Sequence, residues 1–417
     1  MPGALLELNA IGEQDKLLIG NPQISFFKSI YYRHTNFAIE QIIEEFQTAP
    51  SFGNKTSCQI QRHGDLINEI MLYIELPELT GNVSYSWCNG IGHAIINHID
   101  IKIGGVIIDR QYGQYLEIYS QLTTDCSKKD GFNNMIGRYE SFDATTQSGP
   151  LKLYIPLRFW FNKKIENSLP LIGLQHHSVE IDIKFRPFDE LWISNGVTFT
   201  TNKCNPCDIV KSYLLVDFIY LDDNERRHFA RPKRGYHNYL IEQVQLEVFG
   251  VDPNKNINSF ELNFNHPVKE LLWVIQNGNV ITQVTDGGNE WINFSDRPFN
   301  ATSGPGNGAT PKDPMVEAKL QLEGQDRFDT FPAEYFRLVQ PYQRHTTVPN
   351  NFIYVYSFAI KPEELQPTGT LNFSIIDNAH IWMKLITGLT NPIVYIYAIN
   401  YNYLIIRDGM ARVLYDN

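Results

Sequence analysis

The chain has no long apolar run, no cysteine framework, few charges and no sustained helical period. No segment of its 417 residues approaches the ~18 uninterrupted apolar residues of a membrane-spanning helix. The opening MPGALLELNA lacks a basic stretch, and Glu7 and Asp15 interrupt its apolar residues, so no secretory signal is expected. Five cysteines, Cys58, Cys88, Cys126, Cys204 and Cys207, make an odd count with no framework spacing. Reduced thiols and a soluble cytosolic product are the expectation. Charged residues make up 19%, below the usual quarter, which suits a protein with much surface covered by neighbours. The net charge of −11 leaves no basic face for coating nucleic acid, so direct nucleic-acid binding is not expected.

Signatures of catalysis are missing too. HExxH, GxSxG and the Rossmann fingerprint do not occur. Gly304, Gly306 and Gly308 form a glycine run, but Ala309-Thr310-Pro311 follows where a phosphate loop needs Lys-Ser/Thr opening a helix. Cys204-Asn205-Pro206-Cys207 has CxxC spacing, yet a closed zinc site needs two more ligands. Nothing in the sequence brings the paired His176–His177 near, and a turn with two reduced thiols is the expectation. Asp222, Asp223 and Glu225 are adjacent carboxylates at a strand end, which reads as a solvated turn and not as a pair facing across a cleft. Five sequons, at Asn54, Asn82, Asn293, Asn300 and Asn372, read as chance in an Asn-rich chain without a signal peptide. No catalytic, cofactor or metal residue is assigned.

What the chain does have is β pattern, and plenty of it. Hydrophobic residues make up 43% and aromatics 13%, enough for two cores in a chain whose length suits two domains of roughly 200 residues. From Thr56 onward, short strands alternate with turns: CQIQR, INEIMLYIELPEL, HIDIKIGGVIID with a Gly104-Gly105 hairpin, KLYIPLRFWF, SVEIDIKF and SYLLVDFIYL. Tyr112 to Leu122 is the clearest helix of the first half, with Tyr115, Ile118, Tyr119 and Leu122 at helical spacing. The whole argues an all-β class with short helical insertions. A basic passage, Arg226 to Gly235, reads as a solvated linker within a 226–240 connection.

Beyond it the first half appears again. INEIMLYI (Ile67–Ile74) matches VKELLWVI (Val268–Ile275), with Glu69 and Glu270 in step. The stretch from Ser168 matches that from Leu365, and VDFIYL from Val216 matches INYNYL from Ile399, just ahead of a charged turn. The same order at similar separations implies two tandem copies of one β domain, with a longer loop, Pro187 to Asp208, in the first. Phe294 to Pro314 is rich in Gly, Pro, Ser, Thr and Asn and reads as a long exposed loop. Phe159, Trp160, Phe161, Trp273, Trp382 and the Tyr395–Tyr403 series stand among Ile, Leu and Val in strand-like runs, as core or subunit interface. A base-stacking surface would set them among basic residues.

One stretch precedes all of this. In GNPQISFFKSIYYRHTNF, Gly20 to Phe37, Asn21 can cap a helix opened by Pro22, and Ile24, Phe27 and Tyr31 recur on one face. A helix over Pro22 to His34 is expected, packed on its own subunit and followed by a strand from Phe37. The same string, with GALLELNAIGEQDKLLIG before it and Arg407-Asp408-Gly409-Met410-Ala411 and a terminal Tyr-Asp-Asn at the other end, resembles the major capsid proteins of nucleocytoplasmic large DNA viruses. The resemblance touches both ends and, more loosely, most of the middle. It implies two tandem eight-stranded antiparallel jelly rolls with an N-terminal helix and arm, bounded as 1–36, 37–225, 226–240 and 241–417. It further implies a non-enzymatic subunit that forms a homotrimer, a pseudo-hexameric capsomer of an icosahedral virion assembled in the host cytoplasm. Implied partners are neighbouring capsomers, minor capsid and penton proteins, and the particle's inner membrane through the N-terminal arm. Loop 294–314 would then belong to the capsomer's outer tower. A carbohydrate-binding or carbohydrate-active jelly roll is the competing reading, tested by glycan-array binding. A minor capsid or scaffold protein of the same viruses is a third, separated by abundance in particles.

Overall fold

The computed structural model describes residues 3–81, 85–139, 148–194, 204–231, 235–252, 255, 257–281, 289–297 and 311–415. Residues up to Asn36 form one unit and those from Phe37 a second. The first unit holds two short helices, α1 (Gly3–Asn9) and α2 (Lys16–Ile19). The expected helix over Pro22–His34 is absent, and Ile24, Phe26, Phe27, Ile30 and Tyr31 are exposed. Asn21 takes a left-handed φ of 53°, and the Ser25 hydroxyl accepts the Phe27 N–H at 3.3 Å. That local bond competes with the helical ladder, and an isolated segment of this length is marginal without a surface to bury its face.

The second unit is built from two series of eight strands. The first comprises β1 (Phe37–Glu44), β2 (Lys55–Ile60), β3 (Leu66–Leu76), β4 (Ile96–Ile103), β5 (Val106–Tyr112), β6 (Leu151–Pro156), β7 (Val179–Phe185) and β8 (Lys211–Leu221). The second comprises β9 (Tyr236–Gly250), β10 (Ile257–Glu261), β11 (Pro267–Gln276), β12 (Met315–Leu322), the interrupted β13 (Gln325–Asp326 and Phe331–Pro332), β14 (Tyr354–Ser357), β15 (Ala379–Leu385) and β16 (Ile393–Arg407). Sheets run β1-β8-β3-β6 and β2-β7-β4-β5 in the first series, and β9-β16-β11-β14 and β10-β15-β12-β13 in the second. Adding eight to every strand number turns one pair of sheets into the other, and each pair is an antiparallel jelly roll.

Local sequence explains the strands. In β3, LINEIMLYIEL alternates so that Ile70, Leu72, Ile74 and Leu76 enter the first core while Met71, Tyr73 and Glu75 face out. Gly104 and Gly105 both have positive φ (61° and 83°), as the two-residue β4–β5 hairpin requires. A second core gathers Phe260, Leu271, Trp273, Ile275, Tyr354 and Ile396.

The duplication extends to register. Ile67 pairs with Phe218 and Ile70 with Val216, with a bulge between; Val268 pairs with Asn400 and Leu271 with Ala398, with a bulge at the same place. Glu69 and Glu270 thus occupy equivalent positions. Short strands confirm it: Leu169 pairs with Ile67, and Leu371 with Val268. The VDFIYL match needs correction by one residue, since Val216 corresponds to Ala398 and not to Ile399.

Two segments expected to be irregular carry regular structure, and a third is buried at its start. Helix α3 (Gly113–Thr123) lies where the pattern places it, but α4 (Asp223–Ala230) occupies the basic passage and β9 begins at Tyr236, inside the expected 226–240 linker. Asp222 caps α4 by accepting the Asn224 and Glu225 N–H groups, and the 15-residue β16 extends far enough to pair Tyr236 with Arg407. Within loop 187–208, Trp192–Ser194 pairs with Tyr85–Trp87, while residues 195–203 lie outside the described residues. Residues 298–310, with Gly304, Gly306 and Gly308, also lie outside them, and the loop's start is not exposed, since Phe294 is buried.

Gly113 opens α3 in a space too tight for a side chain. A Cβ there would lie 2.2 Å from the His93 carbonyl oxygen and 2.3 Å from that of Ile96. Gly113→Ala should therefore cost about 1–3 kcal/mol through forced displacement of backbone. An unchanged thermal melt would refute this close approach.

Candidate assembly surfaces

Helix α3 joins the two jelly rolls. Leu116 points into the first core, while Tyr115, Ile118, Tyr119 and Leu122 pack on Val244, Leu272, Val274, Val355, Tyr397 and Ile399, the outer face of the β9-β16-β11-β14 sheet. The helix is tied to its own half by Glu117, whose carboxylate meets His93 at 2.7 Å, Arg138 at 3.0 Å and Gln121 at 2.6 Å. Burial would raise that carboxyl, but Arg138 and His93 pull it down to about 2.

Polar groups cross the same junction. Glu242 on β9 accepts from Lys163 of the first half and Lys269 of β11, with Glu242 and Lys269 buried and the Lys163 side chain 9% exposed. Burial opposes ionisation of Glu242, yet the two ammonium groups hold its carboxyl below the ordinary range. Asp109 on β5 accepts the Val244 N–H at 2.9 Å, and burial pushes its carboxyl up to about 6.

A second titratable node lies in the second half. His345 sits 3.1 Å from Glu270 and 3.1 Å from Glu363. Burial disfavours the imidazolium, but the two carboxylates outweigh it and raise His345 to about 9. A folded-state value above the ordinary ~6.5 means stability fully present below ~6.5 and lost as pH rises through about 9. The melting-temperature gap between the native chain and His345→Gln should be widest near pH 6 and close above pH 9. A gap independent of pH would refute the paired imidazolium.

Outward, the first half presents apolar rows. Ile43, Leu215, Met71 and Pro156 are successive cross-strand neighbours on the outer face of β1-β8-β3-β6. Tyr213, Tyr73 and Tyr154 form the next row, with the Tyr73 and Tyr213 rings stacked at 4.5 Å. In the second half a helical segment, a wide π turn over Tyr335–Val339 running into α5 (Gln340–Arg344), exposes Leu338, Val339 and Tyr342. Nothing in the sequence reading singled out this segment, although its Tyr-x-x-Leu-Val-x-x-Tyr spacing is a helical face.

The residues weighed for chemistry are dispersed. Cys204 is buried beside the Thr80 carbonyl, and burial raises both its thiol and that of Cys207, the latter to about 11. His176 and His177 lie elsewhere, donating to Gly409 through the His176 N–H and accepting from the Ala411 N–H at His177 Nδ1. Among the described residues no group of three or more His, Cys, Asp or Glu side chains is placed to hold a metal. Asn293 is fully buried, donating to Glu290 and the Arg297 carbonyl, and Asn372 accepts the Ser374 N–H; Asn54 is exposed, and Asn82 and Asn300 lie outside the described residues. Phe159, Trp160, Phe161, Trp273, Tyr397 and Tyr401 are core, whereas Trp382 and Tyr395 are half-buried and Tyr403 is exposed.

Two families divide the chain between them: "Major capsid protein N-terminus" matches residues 25–222, and "Large eukaryotic DNA virus major capsid protein" matches 225–412. The major capsid protein of Pyramimonas orientalis virus is 37% identical, with both chains covered in full. The chain belongs to the major capsid proteins of large eukaryotic DNA viruses. That of Phaeocystis pouchetii virus is 35% identical, again over all of both chains. Among solved structures, the capsid protein in a quasi-atomic model of the PBCV-1 virus capsid superposes with a TM-score of 0.79 at 31% identity, covering 94% of this chain and 100% of that one. The double jelly roll is thus the family's fold, and the virion is where such a protein resides.

Proposed function

We propose that three copies of this major capsid protein form a homotrimer, a pseudo-hexameric capsomer that tiles the icosahedral shell. The observation that carries this reading is the repeated topology and register, which makes each chain two similar wedges and three chains six. Residues 37–225 and 236–417 are the wedges, 1–36 is the arm, and none performs catalysis. Neighbouring capsomers meet the trimer's flanks. Minor capsid and penton proteins and the particle's inner membrane are the further partners, the last through the arm, whose large apolar side chains are exposed. The charge of −11 accords with a shell that encloses DNA without binding it, assembled in the host cytoplasm. Light scattering on the purified 48.1 kDa chain should return three chains per particle, with well above ~2,000 Å² buried. A monomer that persists on concentration would overturn the proposal.

A further inference from the structure

The junction inside one chain has an uncovered twin. Helix α3 follows β5 and precedes β6; Tyr335–Arg344 follows β13 and precedes β14, so it is the same insertion one jelly roll later. Aligning Gln114–Leu122 with Glu334–Tyr342 sets Leu116 on Phe336, and each of these enters the core of its own half. The same alignment sets Tyr115, Ile118, Tyr119 and Leu122 on Tyr335, Leu338, Val339 and Tyr342. The first four are buried against the other half, whereas Tyr335 packs on its own half beside Phe331 and Leu338, Val339 and Tyr342 are 39%, 39% and 80% exposed.

The receiving sheet repeats as well. On the second half, α3 covers the cross-strand row Leu246–Tyr397–Leu272–Val355. The shared register makes Ile43–Leu215–Met71–Pro156 the same row on the first half. Within the second unit, none of these four residues joins a hydrophobic cluster with a helix among the described residues, and Ile43 is 52% exposed. One end differs in chemistry: Gln41 and Asp217 stand where Val244 and Ile399 stand in the second half, and Tyr342 where α3 has Leu122. More polar groups are what a face that meets water before assembly requires.

We propose that Tyr335–Arg344 of one chain docks on the outer face of the β1-β8-β3-β6 sheet of a second copy, repeating between chains the contact α3 makes within one. The occupant is a second copy because the chain already shows this helix type seated on this sheet face. Such a contact is head-to-tail, so it generates a ring where the rotation closes. Six near-equivalent junctions then alternate, three within chains and three between. This rests on the trimer reading and names the surfaces that make it.

The test uses the full chain, two charged variants, and a cysteine pair with its two single-cysteine controls. Leu338→Asp/Tyr342→Asp and Met71→Asp each should convert the trimer to monomers whose far-ultraviolet circular dichroism stays native. Because Ile118 and Tyr397 are buried in the same intrachain cluster, Leu338→Cys with Leu215→Cys marks the corresponding pair between chains. In a Cys126→Ser/Cys207→Ser background, a short bismaleimide should link that double variant into covalent trimers, and neither single cysteine alone should do so. A trimeric native chain whose charged variants remain trimeric, or whose cysteine pair gives no linked product, would overturn this contact while leaving the trimer standing; another protein would then be the occupant of these faces. A monomeric native chain would overturn both.

Discussion

Glu242→Ala should be among the most damaging single substitutions in the chain, lowering stability by about 3–5 kcal/mol. The reason is what it leaves behind. Lys163 and Lys269 both donate to Glu242, and their side chains are 9% and 0% exposed. Deleting the carboxylate strands two ammonium groups in a site walled by the Tyr115, Tyr119 and Tyr401 rings. At ~2–4 °C per kcal/mol for a domain of this size, the melting temperature should fall by on the order of 10 °C. Because Lys163 belongs to the first jelly roll and Glu242 to the second, the two halves should also melt apart, giving a broadened or double transition. Lys163→Met/Glu242→Leu/Lys269→Met, which removes all three charges together, should recover most of the loss. A single-site loss below ~1 kcal/mol, or no recovery in the triple variant, would mean that water reaches the node.

Very little of that node was visible in the sequence, because its members lie 79 and 27 positions apart and share no local pattern. Strands and the tandem repeat were legible for the opposite reason: side-chain alternation is local, and β3 and β11 carry it on strands with one face to a core. Where both faces are buried the signal weakens. Residues Ile396 to Asn402 of β16 are buried without a break, so nothing in their pattern pins the register, and the VDFIYL match slid by one residue. Helix α3 was legible from its spacing, but the sheet it covers was not. The Tyr335–Arg344 segment carries the same spacing and passed unnoticed among aromatic strands. Periodicity identifies an apolar face; it does not say what the face meets.

The N-terminal stretch shows that limit most sharply and yields the last expectation. Ile24, Phe27 and Tyr31 have helical spacing, yet no helix forms over Pro22–His34, and Phe27 is fully exposed. Apart from Asp15, every described residue from Gly3 to Asn36 is exposed. A chain beginning at Asn36 should therefore melt within the ~2–4 °C that 1 kcal/mol is worth of one beginning at Asn21. The cost of the deletion should appear later. Five large apolar side chains, each worth ~1.5–3 kcal/mol if fully buried, gain that energy only on a surface met during assembly. The shortened chain should accordingly still form trimers by light scattering but fail to progress to larger assemblies under conditions where the full chain does. A fall of ten degrees or more in its melting temperature would place these side chains in the subunit's own core, and larger assemblies built without them would remove their role in the shell.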